Sequence, residues 1–497
     1  YQTDELAALV QRAAELAGVD PDADPEQLVS LRVLADHGRA SAFLLADGVL
    51  PSNVDRGYVL RRVMRRAIRH GVELGIDEPF LHELTDKVIE LMSPAYPELA
   101  QWREKILRYT RMEEETFRRT LHRGLELLEQ TFAQLQSDGE AVVPGQVVFH
   151  LHARDGFPPD LTRVIAVERG VAIDEEGYRE LMAEHRQVSG GMGTGDQASS
   201  GAPGTGAGFG GMATTFGGYQ SDAGEGEITA IRSEGARVTA ATIGDRVEVV
   251  TDSTPFYAES GGQVGDTGTL SWDGGGASVR DTTREGDAVV HHLLVDEGEL
   301  TVGQRVQLVV GGERRGDIRR NHTATHLLHA ALRQALGDHV AQQGSVVDPA
   351  RLRFDFSHFQ AVTADELARV EALANAQVRR DEPVQIEQMT YDDAVARGAI
   401  ALFGEKYGDE VRVVEVAGFS TELCGGTHCD RTGEIGLIKI VSEGSVGTGV
   451  RRIEAQTGRG AEAHVRRLEA ERVELAGVLK AQPQEVVGRA RRLVERL

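Results

Sequence analysis

Cysteine is scarce in this 497-residue chain, which contains two, Cys424 and Cys429. A disulfide scaffold needs more, and a bond between these neighbours would close only a very short loop. Long apolar runs are also missing: no stretch is long enough to span a membrane, and no secretory signal is recognisable. These absences predict a protein of the reducing cytoplasm with no membrane partner.

Aromatic residues are few, at 5% of the chain, whereas 40% of the residues are hydrophobic. This composition predicts a soluble globular protein with cores of Leu, Val and Ala, and the length predicts three or four domains. The 78 acidic residues outnumber the 54 basic ones, so the formal net charge is −24. That charge excludes a protein that coats nucleic acid with its whole surface, and any RNA contact must use local basic patches.

Two pairs of metal-capable side chains lie far apart in the sequence, in His322-Thr-Ala-Thr-His326 and Cys424-Gly-Gly-Thr-His428. The residues of each pair are four positions apart, so on a helix His322 and His326 would project from one face. Three imidazoles and one thiolate form a donor set that suits tetrahedral zinc. The pattern predicts one zinc ion per chain, bound by His322, His326, Cys424 and His428.

Other interpretations of these residues are weaker. A single His-x-x-x-His pair is common on ordinary helices, but a second pair in a Gly-Gly loop favours a metal. A disulfide between Cys424 and Cys429 is disfavoured by the short loop and the reducing compartment. A zinc protease needs Glu directly after the first His of its helix motif, and here that residue is Thr323. The protease class therefore lacks its general base.

Five arginines recur at helical spacing near the start of the chain, namely Arg61, Arg62, Arg65, Arg66 and Arg69. Apolar residues fill most of the intervening positions, which predicts an amphipathic helix with one arginine face. The segment contains no acidic residue, and arginine binds phosphate oxygens two at a time. The face therefore favours an RNA backbone over solvent alone. A second basic stretch, residues 103–123, interleaves glutamates, and ion pairs within a helix explain it nearly as well.

Composition and periodicity divide the chain into five parts and predict a multidomain α+β fold. These are a helical domain (1–186), a Gly-rich linker (187–218), a β-barrel or sandwich (219–312), an α+β core with the zinc ligands (313–456) and a C-terminal helical segment (457–497). The apolar stripe of the last segment predicts an antiparallel helix or a homodimer contact. Tyr1 and Leu497 are expected to be cuts through a longer protein.

Several segments together resemble the alanyl-tRNA synthetase family. They are Ala35-Asp-His-Gly-Arg-Ala40, Asp47-Gly-Val-Leu-Pro-Ser-Asn53, Arg56-Gly-Tyr-Val-Leu-Arg-Arg62, residues 322–329 and residues 424–428. The metal pairs alone also fit threonyl-tRNA synthetase editing domains and free-standing editing proteins. The Leu-Pro-Ser-Asn and arginine-helix segments are specific to the alanyl family, and the likeness spans nearly the whole chain.

The resemblance implies a helical tRNA-recognition domain, a β-barrel, a zinc-dependent editing domain and the start of a C-terminal dimerisation arm. It also implies that the family's class II catalytic domain would precede Tyr1 and be absent here. ATP and magnesium would then bind only in the missing part, and this fragment would not charge tRNA by itself.

The resemblance further implies how tRNA(Ala) is read at its acceptor stem. Asn53 stands where the family's asparagine contacts the G·U wobble pair, and Arg62, Arg65 and Arg66 lie on the adjoining basic face. The family's second contact to this pair is an acid. Here Ala153 takes that place, and Asp155, two residues on, is the candidate substitute.

An editing site makes chemical sense for an alanine enzyme. Glycine differs from alanine by one methyl, worth about 1–3 kcal/mol in a pocket, and an apolar pocket rejects the extra hydroxyl of serine poorly. By resemblance, Gln342 contacts the substrate, Cys424 belongs to the hydrolytic site as well as to the metal, and the Gly-rich run 258–268 lies near the pocket. Arg319 and Arg320 either hold the terminal phosphates of the tRNA or face solvent at the start of a helix.

Two functions follow from the sequence. The first is an ester hydrolase that edits Ser-tRNA(Ala) and Gly-tRNA(Ala), as part of an alanine-tRNA ligase. The second is a non-catalytic module that binds tRNA and dimerises, with a purely structural zinc. Four protein ligands are typical of a structural site, which favours the second. A zinc ion that is loosely bound, or that only positions the substrate, is compatible with the first.

Overall fold

A computed structural model of the chain describes residues 3–52, 55–153, 157–189, 208–400, 408–447 and 449–495. Helices and strands are both abundant, so the predicted mixed α+β class is confirmed. The chain forms two compact units. One comprises Tyr1–Ala198 with Gly447–Gly449, and the other comprises Ser199–Val446 with Val450–Leu497.

The first unit is mainly helical. Its helices are α1 (Asp4–Ala17), α2 (Pro25–Ala46), α3 (Asp55–Glu73), α4 (Leu81–Met92), α5 (Pro97–Gln101), α6 (Arg103–Asp138), α7 (Gly145–Ala153), α8 (Pro159–Glu168) and α9 (Glu175–Ser189), and two short parallel strands are β1 (Val142–Val143) and β2 (Ala172–Ile173). Helix α2 packs against α1, α3 and α4, while α6 packs along α3 and α4. The start of α2 is fixed by Asp24, whose side chain accepts a hydrogen bond from the Glu26 amide at 2.9 Å.

The second unit begins with a set of antiparallel strands. They are β3 (Thr215–Phe216), β4 (Ala223–Ser233), β5 (Ala236–Val238), β6 (Ala240–Thr242), β7 (Arg246–Thr251), β8 (Ser253–Thr254), β9 (Gly268–Trp272), β10 (Gly275–Glu285), β11 (Ala288–Glu297), β12 (Glu299–Thr301) and β13 (Arg305–Val310), of which β3 and β8 pair in parallel. The largest sheet runs β13-β9-β10-β11-β7-β4-β5, and β13 also pairs with β4. That extra pairing closes six strands into a barrel.

Alternation along the strands builds the barrel core. On β13, Val306, Leu308 and Val310 are buried, while the residues between them face out. The inward residues join apolar side chains such as Ile228 and Val249 from the other strands.

The end of the predicted linker is part of this barrel unit. Of residues 187–218, the segment 190–207 lies outside the described residues. In the described remainder, Phe209 is fully buried against Ala230 and Val250, and the guanidiniums of Arg232 and Arg237 lie 4.3 and 4.5 Å from its ring centre. A buried aromatic ring outweighs the flexible composition around it, so the tail of the linker is anchored.

The rest of the second unit is an α+β core followed by two helices. Its elements are α10 (Gly312–Leu336), β14 (Gln342–Val347), β15 (Leu352–Ser357), α11 (Ala364–Arg380), β16 (Val384–Thr390), α12 (Tyr391–Ala396), β17 (Glu410–Val416), β18 (Ser420–Leu423), a 3-10 turn (Thr432–Ile435), β19 (Ile438–Gly447), β20 (Val450–Thr457), α13 (Gly458–Leu479) and α14 (Val486–Val494). The strands form two antiparallel sheets, β14-β15-β20-β19 and β16-β17-β18. Thr363 and Glu366 cap the start of α11 with a capping box.

Helix α10 is the central element of this core. Every residue from Asn321 to Leu332 is buried, so the helix is enclosed along most of its length. Leu327 and Leu328 pack in one cluster with Phe354 and Phe356 of β15. The helix is therefore rigidly placed, and polar side chains on its buried turns must find partners inside the protein.

No helix of the described residues has both the length and the apolar composition needed to cross a membrane.

Candidate metal centre

Four metal-capable side chains converge in the α+β core. His322 and His326 lie one turn apart on α10, which confirms the predicted helical placement, and Cys424 and His428 lie in the loop after β18. One ligand atom from each residue falls within 4.8 Å of the others. The Cys424 Sγ atom lies 3.4 Å from His322 Nε2 and 3.3 Å from His428 Nε2. When zinc binds a nitrogen and a sulfur atom tetrahedrally, the two donor atoms lie about 3.6 Å apart, so the distances in this cluster fit a zinc ion.

Each imidazole is oriented through its Nδ1 atom by a second residue. His322 Nδ1 lies 2.7 Å from Gln263 Oε1, and His428 Nδ1 lies 3.2 Å from Thr323 Oγ1. His326 Nδ1 faces a carboxylate oxygen of Glu422 at 3.4 Å, an ion-pair contact and not a hydrogen bond. With Nδ1 facing a second residue in each ring, the Nε2 atoms are left for a metal, as is usual for histidine ligands.

The electrostatics of the cluster favour a thiolate. Burial alone would raise the pKa of Cys424, but His322, His428 and His326 outweigh it and hold that pKa well below its ordinary value. The thiolate, rather than the thiol, is the form that binds metal. The cluster therefore carries its negative donor in the folded chain.

A buried carboxylate stands behind His326. Burial would raise the pKa of Glu422, but His326 and His329 lower it to about 2. Burial would likewise lower the pKa of His326, but Glu422 and Cys424 raise it to about 9. A thiolate and a carboxylate thus both act on His326, and this surplus of negative charge favours a bound cation.

The loop with Cys424 and His428 is held by an arginine and a tyrosine. Arg412 of β17 donates to the carbonyls of Cys424 and Gly426, each at 2.8 Å, and the Tyr219 hydroxyl donates to the carbonyl of Gly425 at 2.6 Å. The Arg412 guanidinium also lies 4.2 Å from the centre of the Tyr219 ring. Three successive carbonyls of the loop are therefore fixed from outside.

The glycine at position 426 is required by the cluster itself. A Cβ atom there would come within 2.0 Å of His322 Cε1 and 2.4 Å of His322 Nδ1. Both atoms belong to a ring that is buried and hydrogen-bonded, so it cannot move aside cheaply. The Gly-Gly pair thus lets the loop approach α10 closely enough for both ligand pairs to meet.

A polar cavity of about 550 Å³ reaches the cluster. Tyr219, Arg319, Arg412, Thr427 and His428 contribute to its walls. It exposes one edge of the ligand set to molecules from solvent. Arg319 is engaged there by Asp222 at 2.9 Å, whereas Arg320 bonds to Asp317 at 2.7 Å on the same helix.

Gln342, predicted as a substrate contact, begins β14 and is half-buried. Its side-chain amide donates to Ser345 Oγ at 3.1 Å. Among the described residues no hydrogen bond joins it to the four ligands. The glutamine that touches the ligands is Gln263.

Comparison with known proteins identifies the family. A family model described as tRNA synthetases class II (A) matches residues 1–314, well over half of the chain. The chain belongs to this family. A second model, described as the threonyl and alanyl tRNA synthetase second additional domain, matches residues 411–454, which include Cys424 and His428.

Three bacterial relatives, each named alanine–tRNA ligase, are similar to almost the whole chain. The Myxococcus xanthus protein is 49% identical over 98% of this chain and 54% of its own length. The Nitratidesulfovibrio vulgaris protein is 47% identical over 99% of the chain and 56% of its own length. The Pseudomonas fluorescens protein is 45% identical over 100% of the chain and 56% of its own length. The chain thus spans about half the length of these relatives.

The family match overturns one group of predictions. The class II synthetase model covers residues 1–314, so the prediction that the family's catalytic domain is absent was wrong. The prediction that ATP and magnesium belong only to a missing domain was wrong for the same reason, and the prediction that the chain could not charge tRNA loses its basis. These predictions rested on the family resemblance, which was carried by motifs of the expected tRNA-recognition and editing segments. Such motifs do not report on a nucleotide site, which can be assembled from residues distant in sequence.

Of the residues predicted to read tRNA, Asn53 and Asp155 lie outside the described residues. The predicted arginine helix is present as α3. Arg62 and Arg66 are exposed on it, and Arg62 pairs with Asp160 at 2.5 Å. Arg65 is turned inward, with its side chain only 13% exposed, and pairs with Glu113 of α6 at 2.8 Å.

The structure thereby corrects the expectation of one uniform arginine face. Arg61 and Arg69 are buried, at 6% and 7% exposure, and Glu113 also lies 3.4 Å from Arg61. Glu113, the acid beside Arg61 and Arg65, comes from a different helix, so the local sequence could not show it, whereas Arg69 pairs with Glu73 of α3 itself at 2.7 Å. Arg62 and Arg66 remain as the exposed part of the predicted tRNA-binding set.

Proposed function

We propose that the four clustered side chains hold one zinc ion, and that the site hydrolyses esters of serine or glycine wrongly attached to tRNA(Ala). The observation that carries this proposal is the convergence of three imidazoles and one thiolate beside a cavity open to solvent. The match of residues 411–454 to a domain named for threonyl and alanyl tRNA synthetases supports it. The name alanine–tRNA ligase in three relatives supports tRNA(Ala) as the substrate carrier.

His322, His326, Cys424 and His428 would hold the zinc. When bound, zinc supplies a Lewis acid that polarises an ester carbonyl or holds the hydroxyl or amine of the substrate. The chain's own contribution is position. Arg412 and Tyr219 fix the ligand loop, Gly426 lets it approach α10, and the cavity walls leave room for the end of a nucleic acid beside His428. Such fixed placement of the reacting ester is a large part of catalysis.

Gln342 is proposed to contact the amino-acid ester. Its amide is half-buried and bonded to Ser345, whose carbonyl lies against the Gly-rich turn that carries Gln263. An amide is a neutral hydrogen-bonding group and can recognise a hydroxyl without changing the charge of the site. This assignment places substrate recognition on β14 and metal binding on α10 and the loop after β18.

Hydrolysis is tested by incubating the whole chain with Ser-tRNA(Ala), Gly-tRNA(Ala) and Ala-tRNA(Ala), and by following release of the labelled amino acid. We expect release from the serine and glycine esters to exceed release from the alanine ester by about 10–200-fold, the range for a single group in a pocket. A zinc chelator should stop the release, and added zinc should restore it.

Two results would contradict the proposal. One is release that is equally fast from Ala-tRNA(Ala). The other is a zinc-loaded chain that binds Ser-tRNA(Ala) but releases nothing, which would leave the metal with a purely structural part.

We also propose that α3 binds the acceptor stem through Arg62 and Arg66. Both side chains are exposed, and an arginine fork suits a phosphate. Asn53 and Asp155 are proposed as reading residues on the family resemblance alone. Arg65 would act indirectly, because its pairing with Glu113 orients α3 against α6.

This contact predicts a change in the salt dependence of tRNA(Ala) binding. Each lost phosphate contact lowers the slope of log affinity against log salt by about 1, so the double change Arg62→Ala, Arg66→Ala should lower it by about 2. Arg103→Ala is the matched control, since Arg103 is an exposed arginine of the same unit that bonds Asp86. Equal slopes for the double variant and wild type would argue against the contact.

We also propose that the chain takes part in the ligation of alanine to tRNA, the reaction that names its three relatives, and that it does so in the reducing cytoplasm.

The chain would also form homodimers through its C-terminal helices. On α13, Val473 and Val478 are 60% and 74% exposed, as expected for an apolar stripe that a partner could cover.

A further inference from the structure

Gln263 is the buried side chain through which the barrel reaches the metal cluster. It lies in the turn between β8 and β9 and is fully inaccessible to solvent. Its Oε1 atom lies 2.7 Å from His322 Nδ1 and 2.9 Å from the Thr427 amide nitrogen, while its Nε2 atom lies 3.0 Å from Thr427 Oγ1. One amide thus contacts a ligand on α10 and the loop that carries the other ligand pair.

The orientation of this amide determines the tautomer of His322. The backbone nitrogen of Thr427 can only donate a hydrogen bond, so the side-chain atom of Gln263 facing it must be the oxygen. The same oxygen faces His322 Nδ1, which must therefore carry the proton. His322 Nε2 is then the atom with the free lone pair, and it is the atom directed at Cys424 Sγ.

We propose that Gln263 is a positioning residue of the metal centre, which presents His322 Nε2 and the Thr427 turn to the ion. The proposal rests on the zinc site proposed above and adds to it a residue from outside the α+β core. A second partner that fixes the ring and tautomer of a histidine ligand typically changes metal affinity or activity by about 10–100-fold. Gln263 has the place and the chemistry for this role.

The turn that carries Gln263 is built to hold the amide still. Gly261 and Gly262 have φ values of +59° and +83°, which favour glycine, and a Cβ on Gly262 would come within 2.5 Å of the Ser345 carbonyl oxygen. The turn is also tied to β14, because Val347 donates to Gly262 at 2.7 Å and accepts from Val264 at 3.1 Å. The two glycines of the Ser-Gly-Gly-Gln sequence therefore let the turn approach β14 closely, and this approach places the Gln263 side chain at the cluster.

The test compares two variants of the whole chain, Gln263→Met and Gln263→Glu. Methionine has a similar length but no comparable acceptor, whereas a glutamate oxygen accepts from both His322 and the Thr427 amide, and the Thr427 hydroxyl can turn to donate. Zinc affinity is measured by competition with a chelator, and the visible absorption of the cobalt-substituted chain reports the ligand geometry. Gln307→Met is the control, since Gln307 is exposed on β13 and bonds Glu225.

We expect Gln263→Met to bind zinc about 10–100-fold more weakly, with a shifted cobalt spectrum. Gln263→Glu and Gln307→Met should keep both properties near wild type. The proposal would be overturned if Gln263→Met lowered the stability of the chain but left its zinc affinity and its cobalt spectrum as in wild type. Gln263 would then have only a structural role. A wild-type chain that binds no zinc would overturn the metal centre itself, and the role of Gln263 with it.

Discussion

The change Cys424→Ala is expected to abolish both zinc binding and ester hydrolysis. It removes the only anionic donor of the proposed set, and two of the three imidazoles lose the sulfur that lies within 3.4 Å of their Nε2 atoms. Loss of a direct ligand should cost more than loss of a supporting group, so we expect affinity to fall by at least about 100-fold. Metal content after dialysis and release of serine from Ser-tRNA(Ala) measure the two effects.

Zinc-dependent stability gives an independent measurement of the same change. An ion that binds only the folded chain at 100 times its Kd stabilises it by about 2.7 kcal/mol. The wild-type chain should therefore unfold at a higher temperature with zinc than with chelator. Cys424→Ala should show no such difference, while its affinity for tRNA(Ala) should be unchanged, since α3 lies in the other unit.

The second cysteine supplies the matched control. Cys429 is buried close to the cluster. Its burial, together with the smaller effect of the Glu434 charge, raises the pKa of Cys429 to about 12, so Cys429 stays a neutral thiol. It is not one of the four clustered residues. Cys429→Ala should therefore keep one zinc per chain and the hydrolytic rate. Equal loss of zinc in both variants would indicate damage to the core rather than loss of a ligand.

The four clustered residues could be predicted from the sequence, whereas the residues that orient them could not. Spacing by four on a helix is a local property, so the joint placement of His322 and His326 follows directly from the α-helical repeat. The side chains that support the ligands lie in segments whose local patterns carry no chemical signal. Glu422, beside His326, lies in a short strand, and Arg412, which holds the ligand loop, lies in another. Gln263, beside His322, follows two glycines whose composition indicates an ordinary turn.

The same limit explains the arginine helix. The amphipathic period of α3 was visible, but the side that faces the protein could not be read from arginines alone. Glu113 is fully buried, and Arg61 and Arg65 both approach it. Burying these charges requires a carboxylate from α6, more than forty residues away in sequence. Some arginines of the predicted face are therefore buried and paired inside the protein, and the others are exposed.

Arg315→Met is expected to destabilise the second unit by about 3–5 kcal/mol. Arg315 is fully buried near the start of α10 and pairs with Asp266, which is 1% exposed. Its guanidinium also donates to the carbonyls of Gly218 at 3.0 Å and Pro255 at 2.9 Å. Removing the guanidinium leaves the buried carboxylate without its counter-charge, although the Tyr257 amide still donates to it at 2.7 Å, and takes a donor from each of the two carbonyls. That loss is the source of the large effect.

The measurement is denaturant unfolding followed by the fluorescence of Trp272, which lies on β9, in a Trp102→Phe background. Arg459→Met is the control, because Arg459 is an exposed arginine that also binds acids of α10, Glu313 and Asp317, and its loss should change stability little. The double change Arg315→Met, Asp266→Asn should be less harmful than Arg315→Met alone, since it leaves no unpaired buried charge. If the double variant lost as much free energy of unfolding as the two single variants together, the pairing of Arg315 with Asp266 would not be the source of the stabilisation.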